Sequence, residues 1–316
     1  MNKVNEIMGV LNKIDYGFID NDGINIFDDN LNVEYKFNNV YHLMSPEELM
    51  KKKCGVCWDQ VELERKLFTE ANIPFKTYFI YIDDNNFLPS HTFLVYEENN
   101  KYYWFEHSWY DERGIHEYND LNNLLNEVVD KHIKAHSSEI QVEFETYIYE
   151  YNKPNYNISC DDFFSFIFKQ KRIYNYYLLH ADLNNVDYLI MAKAYNIFNF
   201  AHDLEDDEIT KINNYINSHI PNQIKNYKMI YSNNKIIGCL LVESKDDGVI
   251  IDEIYIQDEY RNKGIGANII KNILSKNNIV YLWVYKENLL AIKLYKSLGF
   301  NVIEETKTRY YMKFSK

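Results

Sequence analysis

Apolar and polar positions repeat along this chain with two periods, and the changes between them outline two successive domains. In the first half, Cys57 opens a stretch with apolar residues at helical spacing, running to about Asn72. Phe75–Ile82 alternates as a strand. His91–Tyr96 and Tyr102–Glu106 form a hairpin pattern around the polar run Glu97-Glu98-Asn99-Asn100-Lys101. A further strand pattern covers Val142–Tyr149. It gives way to the polar, proline-containing stretch Tyr151–Asn157, which marks a domain boundary.

The second half begins with a strand pattern at Ile173–His180. Helical spacing follows over Val186–Phe198 and Asp206–Ile220. Lys228–Tyr231 and Ile236–Glu243 flank Ser232-Asn233-Asn234-Lys235, a hairpin signal. Val249–Gln257 is a strand, Gly264–Lys276 a helix, Ile279–Tyr285 a strand and Leu289–Leu298 a helix. Val302–Glu305 and Tyr310–Phe314 close as strands. The predicted order is therefore β-α-α-β-β-β-α-β-α-β-β. The expected organisation is two α+β domains, at residues 1–155 and 160–316.

A chain of 316 residues that is 46% hydrophobic and 16% aromatic can bury two cores of ordinary size. Its net charge of −13 argues against a nucleic-acid surface and suits a cationic partner such as an amine. No apolar run reaches membrane-spanning length, and the N-terminal residues lack the pattern of a secretory signal, so the expected location is cytoplasmic. Four cysteines are too few for a disulfide scaffold in a chain of this length. Cys54 and Cys57 form a C-x-x-C pair, but Cys160 and Cys239 are distant, and no metal site is expected.

Chemistry concentrates in two places. The first is Arg261-Asn262-Lys263-Gly264-Ile265-Gly266, at a strand-to-helix junction. Free N–H groups and the positive end of the helix dipole make such a junction a pyrophosphate site. Gly264 and Gly266, without Cβ atoms, let phosphate oxygens approach the backbone, and Arg261 adds a cation at the mouth. A P-loop would close on Lys-Ser/Thr and a dinucleotide fingerprint would place a glycine at 269; the chain has Ala267-Asn268 and Ile269.

Downstream lies Asn288-x-x-Ala291-x-x-x-Tyr295-x-x-x-Gly299-Phe300. The two motifs together resemble the GNAT superfamily of acyl-CoA-dependent N-acetyltransferases, over roughly residues 170–316. The resemblance implies a GNAT mixed-sheet α/β fold and acetyl-CoA as cosubstrate. Its pyrophosphate would sit on Arg261–Gly266, and its pantetheine arm would lie along Ile254–Ile256. It also implies Asn288 near the cofactor and Tyr295 as the acid for the departing thiolate. The acceptor would be a small-molecule or peptide amine. An acidic residue on that strand would serve as base. Asp252 and Glu253 are the candidates, with Glu253 favoured. Strand alternation predicts that they point to opposite faces of the sheet.

The second place is Gly55-Val56-Cys57-Trp58-Asp59, where a cysteine opens a helix and the dipole favours its thiolate. His91 lies on a later strand and Glu106 near the end of its hairpin partner. Whether the turn centres on Glu98-Asn99 or on Asn99-Asn100, Glu106 shares a face with His91, and His107 takes the other. A cysteine on a helix, a histidine on a strand and an acid on the next strand resemble the transglutaminase-like superfamily, over roughly residues 35–125. That family usually has Asp where Glu106 stands; Asp111 is the alternative acid. The resemblance implies a papain-type α+β domain with a Cys57–His91–Glu106 triad. It leaves two further functions open, a cysteine-dependent amidase or peptidase and a peptide-binding module with an accessory acetyltransferase. The sequence does not reveal the oligomeric state.

Overall fold

In a computed structural model of the chain, described for residues 3–19, 24–25, 37, 39–83, 89–140, 144–201 and 204–316, two compact units meet at Asn175/Tyr176. The first unit contains α1 (Lys3–Leu11), β1 (Asp15–Tyr16), α2 (Pro46–Lys52), β2 (Cys54–Gly55) and α3 (Cys57–Glu70). It continues with β3 (Phe75–Asp83), β4 (Ser90–Glu98), β5 (Lys101–Glu106), β6 (Gly114–Tyr118), α4 (Leu121–Ala135), β7 (Glu145–Tyr151), α5 (Cys160–Ile167) and β8 (Lys171–Ile173). Its main sheet runs β6-β5-β4-β3-β7-β8, with antiparallel neighbours throughout.

Alternation along the strands sends side chains into separate cores on the two faces. Leu94, Tyr96 and Phe105 pack with Leu11, Leu49, Leu63 and Phe68 from α1, α2 and α3. Phe93, Val95 and Trp104 pack with Leu124, Val128 and Val129 from α4. The β4–β5 hairpin turns on Asn99 and Asn100, both with positive φ, and pairs Glu98 with Lys101. Asparagine tolerates that backbone region better than most residues.

The boundary expected at residues 155–160 lies later. The proline stretch after β7 is a connection within the first unit. It leads to α5, whose Phe163 stacks on Trp58 at 4.4 Å and belongs to the same core as Phe79 and Tyr151. The strand expected at Ile173–His180 is broken between the units: β8 pairs with β7, and β9 (Tyr177–His180) opens the second sheet. Val142 and Glu143, expected to begin β7, lie outside the described residues.

The second unit continues with α6 (Val186–Phe198), α7 (Asp206–Gln223), β10 (Tyr227–Ser232), β11 (Lys235–Lys245) and β12 (Gly248–Ile256). It ends with α8 (Ile265–Lys276), β13 (Ile279–Tyr285), α9 (Leu289–Ser297), β14 (Asn301–Glu305) and β15 (Arg309–Ser315). This is the element order that the periodicity predicts. The sheet runs β14-β15-β13-β12-β11-β10-β9, antiparallel except between β12 and β13. That parallel pairing covers Val249–Ile251 against Val280–Leu282 and ends there, although β12 runs on to Ile256 and β13 to Tyr285. Leu189, Ala192, Ile216 and Ile220 from α6 and α7 pack with Tyr227, Cys239, Leu241 and Tyr255. Among the described residues, no helix is long and apolar enough to cross a membrane.

Candidate functional site

In the second unit the loop from Arg261 to Gly266 leads directly from β12 into α8. Gly264 is the N-cap of that helix, with φ 85° and ψ −9°. A Cβ there would meet nothing within 4 Å, so the loop faces open space. Asn262 also has positive φ. Gly266 sits in the first turn, where a Cβ would touch only Ile256, at 4.0 Å. Ile265 is buried and anchors the turn, while Asn262 and Lys263 are exposed. The first amides of an α-helix such as α8 have no acceptor within their own helix.

The Arg261 guanidinium is tied back into the protein. Nε donates to the Ile256 carbonyl at 2.8 Å, and Nη1 donates to the Tyr195 hydroxyl at 2.9 Å and to Asp258 at 2.7 Å. The group also lies over the Tyr195 ring, 4.9 Å from its centroid. A rigid fork of donors is suited to clamping a loop in this way. The Ile256 carbonyl therefore already has a side-chain donor.

Asn288 is the N-cap of α9, and its Oδ1 accepts the Ala291 N–H at 3.1 Å. Tyr295 lies two turns along the same helix, buried against Phe300. Burial pushes its phenol up to about 12, which keeps the proton on at neutral pH.

The two acidic candidates are not separated as strand alternation predicts. The register between β11 and β12 shifts at Leu241/Val242: Leu241 faces Glu253, but Val242 faces Ile251. Asp252 is the extra residue of a β-bulge, and a bulge breaks the alternation of faces. Lys193 of α6 reaches both, its Nζ 3.1 Å from Glu253 and 3.6 Å from Asp252. Glu253 is buried and also accepts from Tyr227 at 2.8 Å and from Asn196 at 3.3 Å. Asp252 remains exposed. Lys193, Asn196 and Tyr227 were not legible as partners, because helix and strand spacing do not reveal which distant side chains meet a carboxylate.

In the first unit the structure brings Cys57, His91 and Glu106 together. Cys57 is the first residue of α3 and is hydrogen-bonded to His91. His91 Nε2 lies 2.8 Å from Glu106 Oε2, which leaves Nδ1 for the sulfur. The hairpin turn is the one centred on Asn99-Asn100, and Glu106 shares the His91 face as parity requires. Glu106 also accepts from Trp104 Nε1, Ser108 Oγ and the Trp109 N–H. Burial alone would raise its pKa, but the His91 charge and these bonds bring it below the ordinary value. Burial lowers that of His91, yet the attraction of Glu106 and the Cys57 contact outweigh it and raise the imidazole to about 10.

Asp59 organises the approach to Cys57. Its carboxylate accepts from the N–H of Val56, the N–H of Met44 and the hydroxyl of Tyr41, each within 3.0 Å. This pins the helix entry against the segment carrying Tyr41 and Met44. An acid at the third position of a helix is the legible half of a capping box, a signal the sequence contained. Gln60, one turn from Cys57, donates to the Gly55 carbonyl and accepts from His107 Nδ1 at 2.6 Å. Asp111, the alternative acid, lies on an exposed turn at Tyr110–Glu112.

Residues 191–300 match the model of the Acetyltransferase (GNAT) family. Spermine/spermidine N(1)-acetyltransferase of Bacillus subtilis is 30% identical over 64 residues, which are 18% of this chain and 42% of that protein. The chain thus spans less than half the length of that curated relative. Among solved structures, PaiA N-acetyltransferase of Thermoplasma acidophilum in complex with coenzyme A is similar at 16% identity. That alignment covers 45% of this chain and 99% of that one, with TM-score 0.39. Arabidopsis thaliana Naa50 with a bisubstrate analogue gives 25% identity, 45% and 99% coverage, and TM-score 0.32. The family match lies wholly within the second unit, and that unit is a GNAT domain.

Proposed function

We propose that the second unit transfers an acetyl group from acetyl-CoA to an amine. The observation that carries this is the uncrowded Gly264 turn at the head of α8, inside the matched GNAT segment. The pyrophosphate lies on the amides of Gly264–Gly266, where the helix dipole and close backbone approach favour an anion. The pantetheine arm runs along β12 beyond Ile251, where pairing with β13 has ended. Asn288 keeps its Nδ2 for the cofactor while its Oδ1 caps α9. Tyr295, protonated at neutral pH, donates to the thiolate of CoA as it departs.

The base takes the proton from the attacking amine. Glu253 has three donors on its carboxylate, which suits it to holding α6 against β12. Asp252, exposed on the bulge, is the better proton acceptor. The acceptor amine is a small molecule or a peptide amine. The net charge of −13 favours a cationic one, and the similarity to a spermine/spermidine acetyltransferase makes polyamines the first to test. The test is release of free CoA from acetyl-CoA with spermine, spermidine and a set of peptides. No release with any of them, in a protein whose melting temperature rises with CoA, would reduce the unit to a cofactor-binding module.

A second activity is favoured by the His91–Glu106 pair at 2.8 Å with Cys57 hydrogen-bonded to the same imidazole. In this reading the first unit is a transglutaminase-like domain. The Cys57 sulfur attacks an acyl carbonyl, His91 passes a proton to the departing group, and Glu106 orients His91. Water or an amine then takes the acyl group from sulfur. Mass spectrometry of native protein with iodoacetamide tests it: Cys57 labels faster than Cys54, Cys160 and Cys239, and His91→Ala slows that labelling.

A further inference from the structure

Beyond Ile251 and Leu282, β12 and β13 run on without pairing. Asp252 and Glu253 stand on the β12 side of this opening. On the β13 side, Trp283 and Tyr285 occupy alternate positions and share a face. The end of α6 reaches both sides. Asn196 donates to Glu253 at 3.3 Å, and Phe200, four residues later, stacks on Tyr285 with ring centroids 5.9 Å apart. Tyr285 therefore faces the same side of the sheet as Glu253, across the opening from it.

Arg309 lies opposite Tyr285 in the β13–β15 pairing, and its guanidinium sits over that ring, 4.9 Å from the centroid. The turn that carries it is held in place. Thr306 N–H donates to the Arg309 carbonyl at 2.8 Å, Arg309 N–H to Thr306 Oγ1 at 3.0 Å, and Lys286 N–H to the Thr308 carbonyl at 2.9 Å. Neighbouring cations are already paired. Lys193 meets Glu253, Lys286 meets Glu305 at 2.9 Å, and Lys313 lies 3.8 Å from Asp247. Arg309 is exposed, and among the described residues no carboxylate pairs with it. The ring contact engages its charge and leaves its fork of N–H donors, which matches a carboxylate.

We propose that Arg309 receives a carboxylate of the acceptor, so that the substrate of this unit is an amine that also carries an acid group several bonds away, as a short peptide does. The proposal rests on the reading of this unit as an acetyltransferase whose acceptor amine is directed to Asp252. β15 and β12 flank β13, and adjacent strands are about 4.8 Å apart, so the two ends of the acceptor are separated by on the order of 10 Å. An α-amino acid, with both groups on one carbon, cannot bridge that span. An extended peptide of roughly three residues can. Trp283, 37% exposed, and Tyr285 offer an aromatic surface for the body between the two ends. The net charge of −13 does not describe this rim, where a polyamine would meet Arg309 with like charge.

The test measures release of free CoA from acetyl-CoA by the full chain with matched acceptors. One pair is a tripeptide with a free C-terminal carboxylate and its C-terminal amide. The other is a C-amidated peptide with an acidic side chain near its N-terminus and the same peptide with the neutral amide side chain. Spermidine is run beside them. In at least one pair the carboxylate member should have a kcat/KM about tenfold higher, the size of a charge-assisted hydrogen bond. The first pair identifies a C-terminal carboxylate as the source, the second an acidic side chain. In Arg309→Gln the preference should disappear while calorimetry shows unchanged affinity for CoA, and Arg309→Lys should keep part of it. Equal use of both members by the wild type, or a preference that survives in Arg309→Gln, overturns the carboxylate subsite. Loss of CoA affinity in Arg309→Gln also overturns it and gives the guanidinium to the cofactor. Release with spermidine and with none of the peptides overturns it and leaves the transferase reading standing. No release with any acceptor, in a protein that binds CoA, overturns both.

Discussion

Lys193 Nζ stands 3.1 Å from the buried carboxylate of Glu253. Attraction between the two charges raises the Lys193 pKa despite burial, so the ammonium stays charged. Removing one partner of a buried pair leaves the other charge uncompensated. Lys193→Met should therefore destabilise the second unit by about 3 kcal/mol, the low end for such a loss because Asn196 and Tyr227 still donate to Glu253. Lys193→Met with Glu253→Leu should recover much of that. Urea unfolding followed through Trp283, the only tryptophan of this unit, measures both. A single variant as stable as the wild type would show that the pair is solvated.

Gly264 gives a prediction in which folding and binding separate. Its φ of 85° costs a residue bearing a Cβ about 1–2 kcal/mol, yet no atom lies within 4 Å to clash with that Cβ. Gly264→Val should fold with a modestly lower Tm. Its affinity for CoA should fall by at least about tenfold, because the branched side chain fills the space that a pyrophosphate needs. Isothermal titration with CoA, alongside calorimetry of the free protein, reads both effects. Unchanged affinity would remove the pyrophosphate from this turn.

The residues of the Gly264 turn and of the His91–Glu106 hairpin were legible in sequence for the same reason. Both are local, fixed by a positive-φ residue and by the parity of a short hairpin. What failed was alternation across longer spans. The bulge at Leu241/Val242 turned Asp252 and Glu253 toward one lysine, and no residue near them in sequence announces it. The domain boundary failed similarly. The proline run after β7 resembles a linker, and only tertiary packing of Phe163 on Trp58 shows that the chain has not yet left the first unit.

Tyr295 is the residue on which the transfer chemistry can be checked most directly. Burial pushes its phenol up to about 12, so between pH 6 and 9 it carries its proton and can donate it. Tyr295→Phe removes the donor and keeps the packing against Phe300. With a responsive amine, kcat should fall by about 10²–10⁴-fold while KM for acetyl-CoA changes little, because thiolate charge develops only as the reaction proceeds. Full activity in the Phe variant would assign the ring to packing alone.

The His91–Glu106 pair predicts a pH dependence of the first unit with a definite sign. The folded pKa of His91 is raised to about 10, so its contribution is fully present below the unfolded value near 6.5. That contribution is lost as pH rises toward 10. Glu106 is shifted down, so its contribution is present above the ordinary carboxylate pKa and lost as pH falls through the folded one. Buried Asp59 and Glu62, each pushed up to about 7 mainly by desolvation, act in the opposite sense by losing stability as pH rises from about 4 to 7. Both remain in a His91→Ala variant and cancel in the difference from the wild type. That difference in unfolding free energy, followed through Trp58, Trp104 and Trp109, should be on the order of a few kcal/mol at pH 6 and shrink steadily above pH 7. A difference that stayed constant from pH 6 to pH 10 would mean that His91 is neutral in the folded protein and that Glu106 holds it by an uncharged hydrogen bond.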